Sequence, residues 1–351
     1  MTGRGAIPRD GLRDIAPYAA PQIEVPVRLN TNECPYPLPE GFIADLQKAA
    51  SETAFNRYPD RDARALRENL TASTGHPYEG TWAANGSNEI LLQLFQAYGG
   101  PGRTALTFTP TYEMYPRFAW VTHTRTAEVQ TPDPFEIGPE QVAAASALRP
   151  EIALICSPNN PTGNTQPPEV LGALAEALPD SLVIVDEAYI EFGGTTALGL
   201  WPEHPNVAVV RTMSKAFALA GARLGYLLAD PQVVDDLQRV RLPYHLSALT
   251  QATGRAALSH HEEAMAILDL LRQQRDRIVT GLAEMGVPVY PSDANFVMFR
   301  PEAGPGPTFD ALLERGVLVR DVSNNVPGCL RVTAGTPEET GAFLAAMEEI
   351  R

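Results

Sequence analysis

The sequence predicts an α/β protein, a large domain with a mainly parallel central sheet flanked by helices, followed by a smaller α+β domain. Three observations carry that expectation. Short apolar runs bounded by turn residues recur along the chain, stretches of helical periodicity lie between them, and the pattern changes near Leu249. Alternation of this kind builds βαβ units, whose strands are covered on both faces and so read as continuous apolar runs.

In chain order, Thr104–Phe108, Ile152–Cys156, Leu182–Val185, Val207–Val210 and Leu224–Leu228 are expected as buried parallel strands. Ile90, Leu91, Leu94 and Phe95 fit one face of a helix, and Pro168–Leu178 fits another between two of the strands. A long helical region is expected from Leu249 through Leu282. Strand-like runs follow at Val287–Tyr290, Phe296–Phe299, Val317–Arg320 and Cys329–Val332. The proline-rich segment Asn32–Pro39 suggests an amino-terminal arm that lies across the surface rather than joining the sheet core. The expected division is an arm over 1–40, a large domain over 41–248 and a small domain over 249–351.

A chain of 351 residues, 44% of them hydrophobic, is long enough for two or three domains and a substantial core. No apolar run approaches the roughly 18 residues that cross a bilayer. The start, Met1–Pro8, lacks the apolar stretch of a secretory signal, so a cytoplasmic location is expected. A formal charge of -15 disfavours nucleic acid and anionic membranes as partners, because both require a basic face. Any anionic substrate must then be gripped by specific arginines. The three cysteines, Cys34, Cys156 and Cys329, are far apart and imply neither a disulfide framework nor a zinc site. His260-His261-Glu262-Glu263 lacks the second histidine of a metal helix, and no metal is expected.

The candidate chemistry lies where loops leave the strands, at the edge where open parallel sheets bind ligands. Asp186 ends the run Leu182–Val185, where a buried carboxylate can pair with a protonated pyridine nitrogen. Lys215 lies in Ser214-Lys215-Ala216-Phe217 and is suited to hold an aldehyde cofactor covalently. Gly86, Ser87 and Asn88 open a helix, so their free N–H groups and the helix dipole favour a phosphate. Ser214 and Arg223 would add a hydroxyl and a cation to that phosphate. Asn160, in Asn159-Asn160-Pro161-Thr162-Gly163, and Tyr189 are candidate donors to a phenolic oxygen on the cofactor ring. Each motif alone reads more readily as a turn, a cap or a surface residue. Their succession Gly-Ser-Asn, Asn-Pro-Thr-Gly, Asp-x-x-Tyr and Ser-Lys-x7-Arg points to pyridoxal 5'-phosphate.

From about Pro17 onward the chain resembles the fold type I pyridoxal-phosphate aminotransferases, and more narrowly the histidinol-phosphate aminotransferase family. Further segments that carry the resemblance are Leu29–Glu33, Arg57–Asp60, Pro110–Tyr112, Asp293–Phe296, Val319–Asp321 and Leu330–Thr333. The resemblance implies that Lys215 holds the cofactor and then shuttles the substrate Cα proton. It also implies that Tyr112 stacks on the ring and that Tyr58 reaches the partner's cofactor phosphate in a homodimer, with the arm adding dimer contacts. Arg331 would grip the amino-acid carboxylate and Arg320 the phosphate of histidinol phosphate. The implied reaction transfers an amino group between L-histidinol phosphate and 2-oxoglutarate, in histidine biosynthesis. Two positions depart from the family pattern: Cys34 stands where asparagine is common, and Glu113 where a small residue is common. Three alternatives remain open: an aromatic-amino-acid aminotransferase, a decarboxylase acting on a phosphorylated amino acid, and a non-catalytic cofactor-sensing domain.

Overall fold

The computed structural model describes residues 6–17 and 21–350, so the reading of the first five residues lies outside it. Its strands are, in chain order, β1 (Val27–Arg28), β2 (Thr81–Ala84), β3 (Thr104–Thr109), β4 (Arg125–Gln130), β5 (Ile152–Cys156) and β6 (Leu182–Asp186). They continue as β7 (Val207–Thr212), β8 (Gly225–Leu228), β9 (Phe296–Phe299), β10 (Val317–Leu318), β11 (Arg320–Asp321) and β12 (Leu330–Thr333). Seven of them form the large sheet in the order β2-β8-β7-β6-β5-β3-β4. Every residue of β5 and β6 is buried, as their unbroken apolar runs require of strands covered on both faces.

One expected parallel strand runs the other way. β8 is antiparallel to both β2 and β7. The reason lies in the connection: residues 213–224 hold only a short 3-10 turn, Ala220–Ala222, and lack the crossover helix that a parallel return needs. Two strands of the large sheet are not foreshadowed by the apolar pattern. β4 is a mostly exposed edge strand of alternating polarity and β2 is a short Thr-Trp-Ala-Ala segment, so neither presents an apolar run.

Helices cover both faces of the sheet. Ser87–Tyr98 and Pro231–Val240 share one core cluster with Trp82, Ile90, Leu94 and Phe95. The opposite face packs Leu66, Leu171, Leu174, Val183, Val185 and Phe192. The expected long helical region divides at His260 into Ala248–Ser259 and His261–Glu284. His260 is fixed there by Asp45 at 3.0 Å and Glu263 at 3.2 Å.

Beyond Glu284, a three-stranded antiparallel sheet β11-β12-β9 packs with its helices around Phe299, Leu312, Leu330 and Phe343. The run Val287–Tyr290 forms a single bridge, Val289 to Phe299, and no strand. The run Val317–Arg320 is divided between two sheets, because β10 pairs with β1 and β11 with β12. The arm therefore does more than cross the surface. β1 pairs in parallel with β10, and Leu29 is buried in the core of the small sheet.

Candidate functional site

The large sheet brings its loops to one edge. β3, β5, β6 and β7 are parallel and end there, β2 ends there too, and the antiparallel β8 begins there. A cavity of about 320 Å³ opens at that edge and extends to the small sheet. Ser87, Asn88, Tyr112, Asn160, Asp186, Tyr189, Ser214, Lys215, Arg223, Arg320 and Arg331 all line it. Gly86 and Tyr58 do not. Tyr58 is 79% exposed and stacks on Tyr244 with ring centroids 4.3 Å apart.

Asp186 closes β6 at 3% exposure. Its Oδ2 accepts the Tyr115 hydroxyl at 2.9 Å, and its Oδ1 accepts the Ala188 N–H at 3.3 Å. Burial pushes its carboxyl up to about 6, against the two hydrogen bonds that stabilise the charge. The neighbouring Glu187 is compensated by a different group, Arg211 at 2.9 Å, together with Thr196 and the Ala197 N–H. Among the described residues Asp186 has no ion pair of its own. A buried carboxylate in that condition is suited to a cation that arrives with a ligand.

Lys215 leaves the end of β7 through a tight turn in which the Ser214 N–H donates to Thr212 Oγ1 at 3.1 Å. Its Nζ donates to the Thr31 carbonyl at 3.0 Å. Burial and the nearby Arg331 and Arg223 lower the amine to about 8, opposed by Glu33. At neutral pH a fraction of the amine is therefore unprotonated, the form that can attack an aldehyde.

At the other end, the helix Ser87–Tyr98 begins after Gly86, whose φ of 82° is in the region that favours glycine. The close approach of the chains explains the local glycines. A Cβ on Gly86 would lie 2.9 Å from an Arg223 guanidinium nitrogen, and one on Gly225 would lie 2.4 Å from the Ser87 nitrogen. Arg223 donates to the Ala220 carbonyl at 3.0 Å and reaches Ser214 Oγ at 3.5 Å. A helix amino terminus, a serine hydroxyl and a guanidinium thus converge where a phosphate would fit.

The third wall comes from the small sheet and the arm. Arg320 on β11 and Arg331 on β12 stand directly opposite each other in register, so both side chains project from the same face. Arg331 donates to the Asn30 carbonyl at 2.9 Å and to Asn160 Oδ1, with its guanidinium carbon 5.0 Å from the Phe296 ring centre. Arg320 lies 3.4 Å from Glu113. Asn32 ties the walls together: its Nδ2 donates to Tyr189 Oη at 2.9 Å, and its Oδ1 accepts from Thr333. Tyr112 donates to Asn88 Oδ1 at 3.4 Å and meets Tyr115 edge-on.

Sequence reasoning missed Tyr115 as the support of Asp186, and Asn30, Thr31 and Asn325 as wall residues. The spacing Tyr112-x-x-Tyr115 is a usable signal, since it sets two rings one turn apart at a helix start. Among the described residues no group of three or more His, Cys, Asp or Glu could hold a metal ion.

Aminotransferase class I and II is the family whose sequence model matches residues 24–347, and the chain belongs to it. The histidinol-phosphate aminotransferase of Frankia casuarinae is 51% identical over 97% of this chain and 89% of its own length. That of Streptomyces avermitilis is 51% identical over 98% of this chain and 96% of its own. A crystal structure of the Sinorhizobium meliloti histidinol-phosphate aminotransferase in complex with pyridoxal-5'-phosphate superposes with a TM-score of 0.89 at 24% identity, covering 97% of each chain. The architecture is that of the fold type I aminotransferases.

Proposed function

We infer that the chain is a pyridoxal-phosphate-dependent aminotransferase that moves an amino group between L-histidinol phosphate and 2-oxoglutarate, in histidine biosynthesis. The observation that carries the reading is one cavity where Lys215, the buried carboxylate of Asp186 and the phosphate-binding group around Ser87 face two in-register arginines. Pyridoxal 5'-phosphate, when bound, supplies a carbonyl carbon that carries the amino group and a ring that withdraws electrons from it.

The residues divide that work. Asp186 would hold the proton on the ring nitrogen, Asn160 and Tyr189 would donate to the ring's phenolic oxygen, and Tyr112 would pack on the ring. Ser87, Asn88, Ser214 and Arg223 bind the phosphate through N–H groups, hydroxyls and one cation, while Gly86, whose own N–H donates to the Ala84 carbonyl at 2.8 Å, shapes the turn that presents them. Lys215 holds the cofactor at rest and afterwards moves the proton at the substrate Cα. Arg331 binds the amino-acid carboxylate as a two-pronged fork, and Arg320 meets the phosphate of the phosphorylated substrate.

Tyr58, Phe55 and Leu242 are large apolar side chains left exposed, which supports a homodimer in which Tyr58 reaches the partner's cofactor phosphate. We set the boundaries at 1–40 for the arm, 41–248 for the large domain and 249–351 for the small one, and we assign the chain to the cytoplasm. Among the described residues no helix is long and apolar enough to cross a membrane.

The test is to mix the cofactor-loaded protein with L-histidinol phosphate or L-phenylalanine and follow the absorbance change of the first half-reaction. Faster conversion with histidinol phosphate, lost in Arg320→Gln, is the expected outcome. Equal or faster conversion with phenylalanine reassigns the chain to aromatic substrates, and release of carbon dioxide from a phosphorylated amino acid reassigns it to decarboxylation.

A further inference from the structure

Glu113 follows Tyr112 at the wall of the cavity, and the structure gives it a partner. Its carboxylate lies 3.4 Å from the Arg320 guanidinium, with side-chain exposures of 41% and 15%. Both groups line the cavity. The other acids of the cavity are engaged elsewhere: Asp186 is buried against Tyr115, and Glu33 acts on the Lys215 amine. Glu113 is thus the acid at the arginine wall. The pair is a single long contact, partly open to solvent, and such contacts cost little to exchange.

We propose that Glu113 is a specificity-determining residue that accepts the imidazole N–H of the substrate. The proposal rests on the reading of Arg320 as the substrate-phosphate site. A phosphorylated imidazole carries both complements of the ion pair: its phosphate replaces Glu113 at Arg320, and its ring N–H replaces Arg320 at Glu113. One contact breaks and two form. A dicarboxylate such as L-glutamate breaks the same contact and regains only one, because it brings no donor for Glu113. A neutral aromatic substrate regains none. The pair therefore discriminates among the substrates that a two-substrate aminotransferase must handle, because only the phosphorylated imidazole leaves both Glu113 and Arg320 with a partner.

The experiment compares L-histidinol phosphate with L-phenylalaninol phosphate, which keeps the phosphate and a ring of similar size but has no ring N–H. L-Glutamate is the third substrate. Single-turnover conversion of the cofactor-loaded protein gives an apparent dissociation constant and a rate for each. Glu113→Ala is expected to weaken histidinol phosphate binding about ten-fold, the loss of one charge-assisted hydrogen bond at a partly open site. It is expected to leave phenylalaninol phosphate unchanged or up to about five-fold tighter, and to tighten glutamate by the same modest factor. Glu113→Gln, which retains an acceptor oxygen, should keep part of the preference. Equal loss on both phosphate esters, or no change on either, overturns the proposal. Arg320→Gln separates the two levels: it should weaken both phosphate esters together, and if it weakens neither, the underlying phosphate assignment fails and this inference fails with it.

Discussion

Asp186→Asn should stabilise the cofactor-free protein while abolishing its activity. Asp186 titrates at about 6 in the fold against an ordinary value of 3.8, because burial disfavours its charged form and no cation compensates it among the described residues. A raised carboxyl favours folding fully below its unfolded value, and that contribution is lost as pH rises through the folded value. The native protein therefore carries an electrostatic cost at neutral pH that disappears on acidification. The difference between those two values corresponds to about 3 kcal/mol at pH 7.5, at about 1.36 kcal/mol per pH unit. At pH 5 the same two values leave about half of that.

Asparagine removes the charge and can still accept the Tyr115 hydroxyl, although its amide faces the Ala188 N–H and returns some of the gain. The expected net stabilisation is about 1–3 kcal/mol at pH 7.5 and about half as much at pH 5. Urea unfolding of both proteins without cofactor, at both pH values, measures it. A destabilised variant at pH 7.5, or a difference that does not shrink on acidification, would refute the account of Asp186 as an uncompensated buried carboxylate. The same substitution removes the proposed partner of the ring nitrogen, so amino transfer should fall by orders of magnitude while the fold becomes more stable.

Other residues give narrower expectations. The rate at which the cofactor-free protein captures pyridoxal phosphate covalently should rise with pH through about 8 and level off above it, tracking the neutral Lys215 amine; a rise that continues well beyond that value contradicts the role of burial and Arg331 in lowering that group. Arg331→Lys keeps the charge but loses the fork held by Asn30 and Asn160, so the KM for L-glutamate should rise about ten-fold or more with a smaller change in kcat. Gly225→Ala drives a Cβ to 2.4 Å from the Ser87 nitrogen, a backbone clash that should cost about 1–3 kcal/mol and weaken pyridoxal phosphate binding, read by thermal midpoint and by cofactor titration.

Much of the site is legible in the sequence because its chemistry follows strand ends that periodicity reveals. The runs ending at Cys156, Asp186 and Thr212 are largely continuous and apolar, so the residues just beyond them can be named from the chain alone. Strand direction is not legible in this way. The run at Leu224–Leu228 has the composition of a buried parallel strand, and only the short connection through Lys215 makes it antiparallel. β4 stays hidden because an exposed edge strand needs no apolar run.

The sequence by itself was enough to name the residues proposed to carry the chemistry: a lysine, a carboxylate, a glycine-led helix start and two arginines, each tied to a local pattern of propensity and spacing. The tertiary structure alone decided which of them share a cavity and in what electrostatic state. Arg320 and Arg331 face one another only because β11 and β12 pair in that register. Tyr115 supports Asp186 across 71 positions of chain, and Asn32 reaches Tyr189 across 157. The pairing of Glu113 with Arg320, 207 positions apart, is of the same kind. Contacts at such separations come from how sheets and loops pack, and no local pattern encodes them.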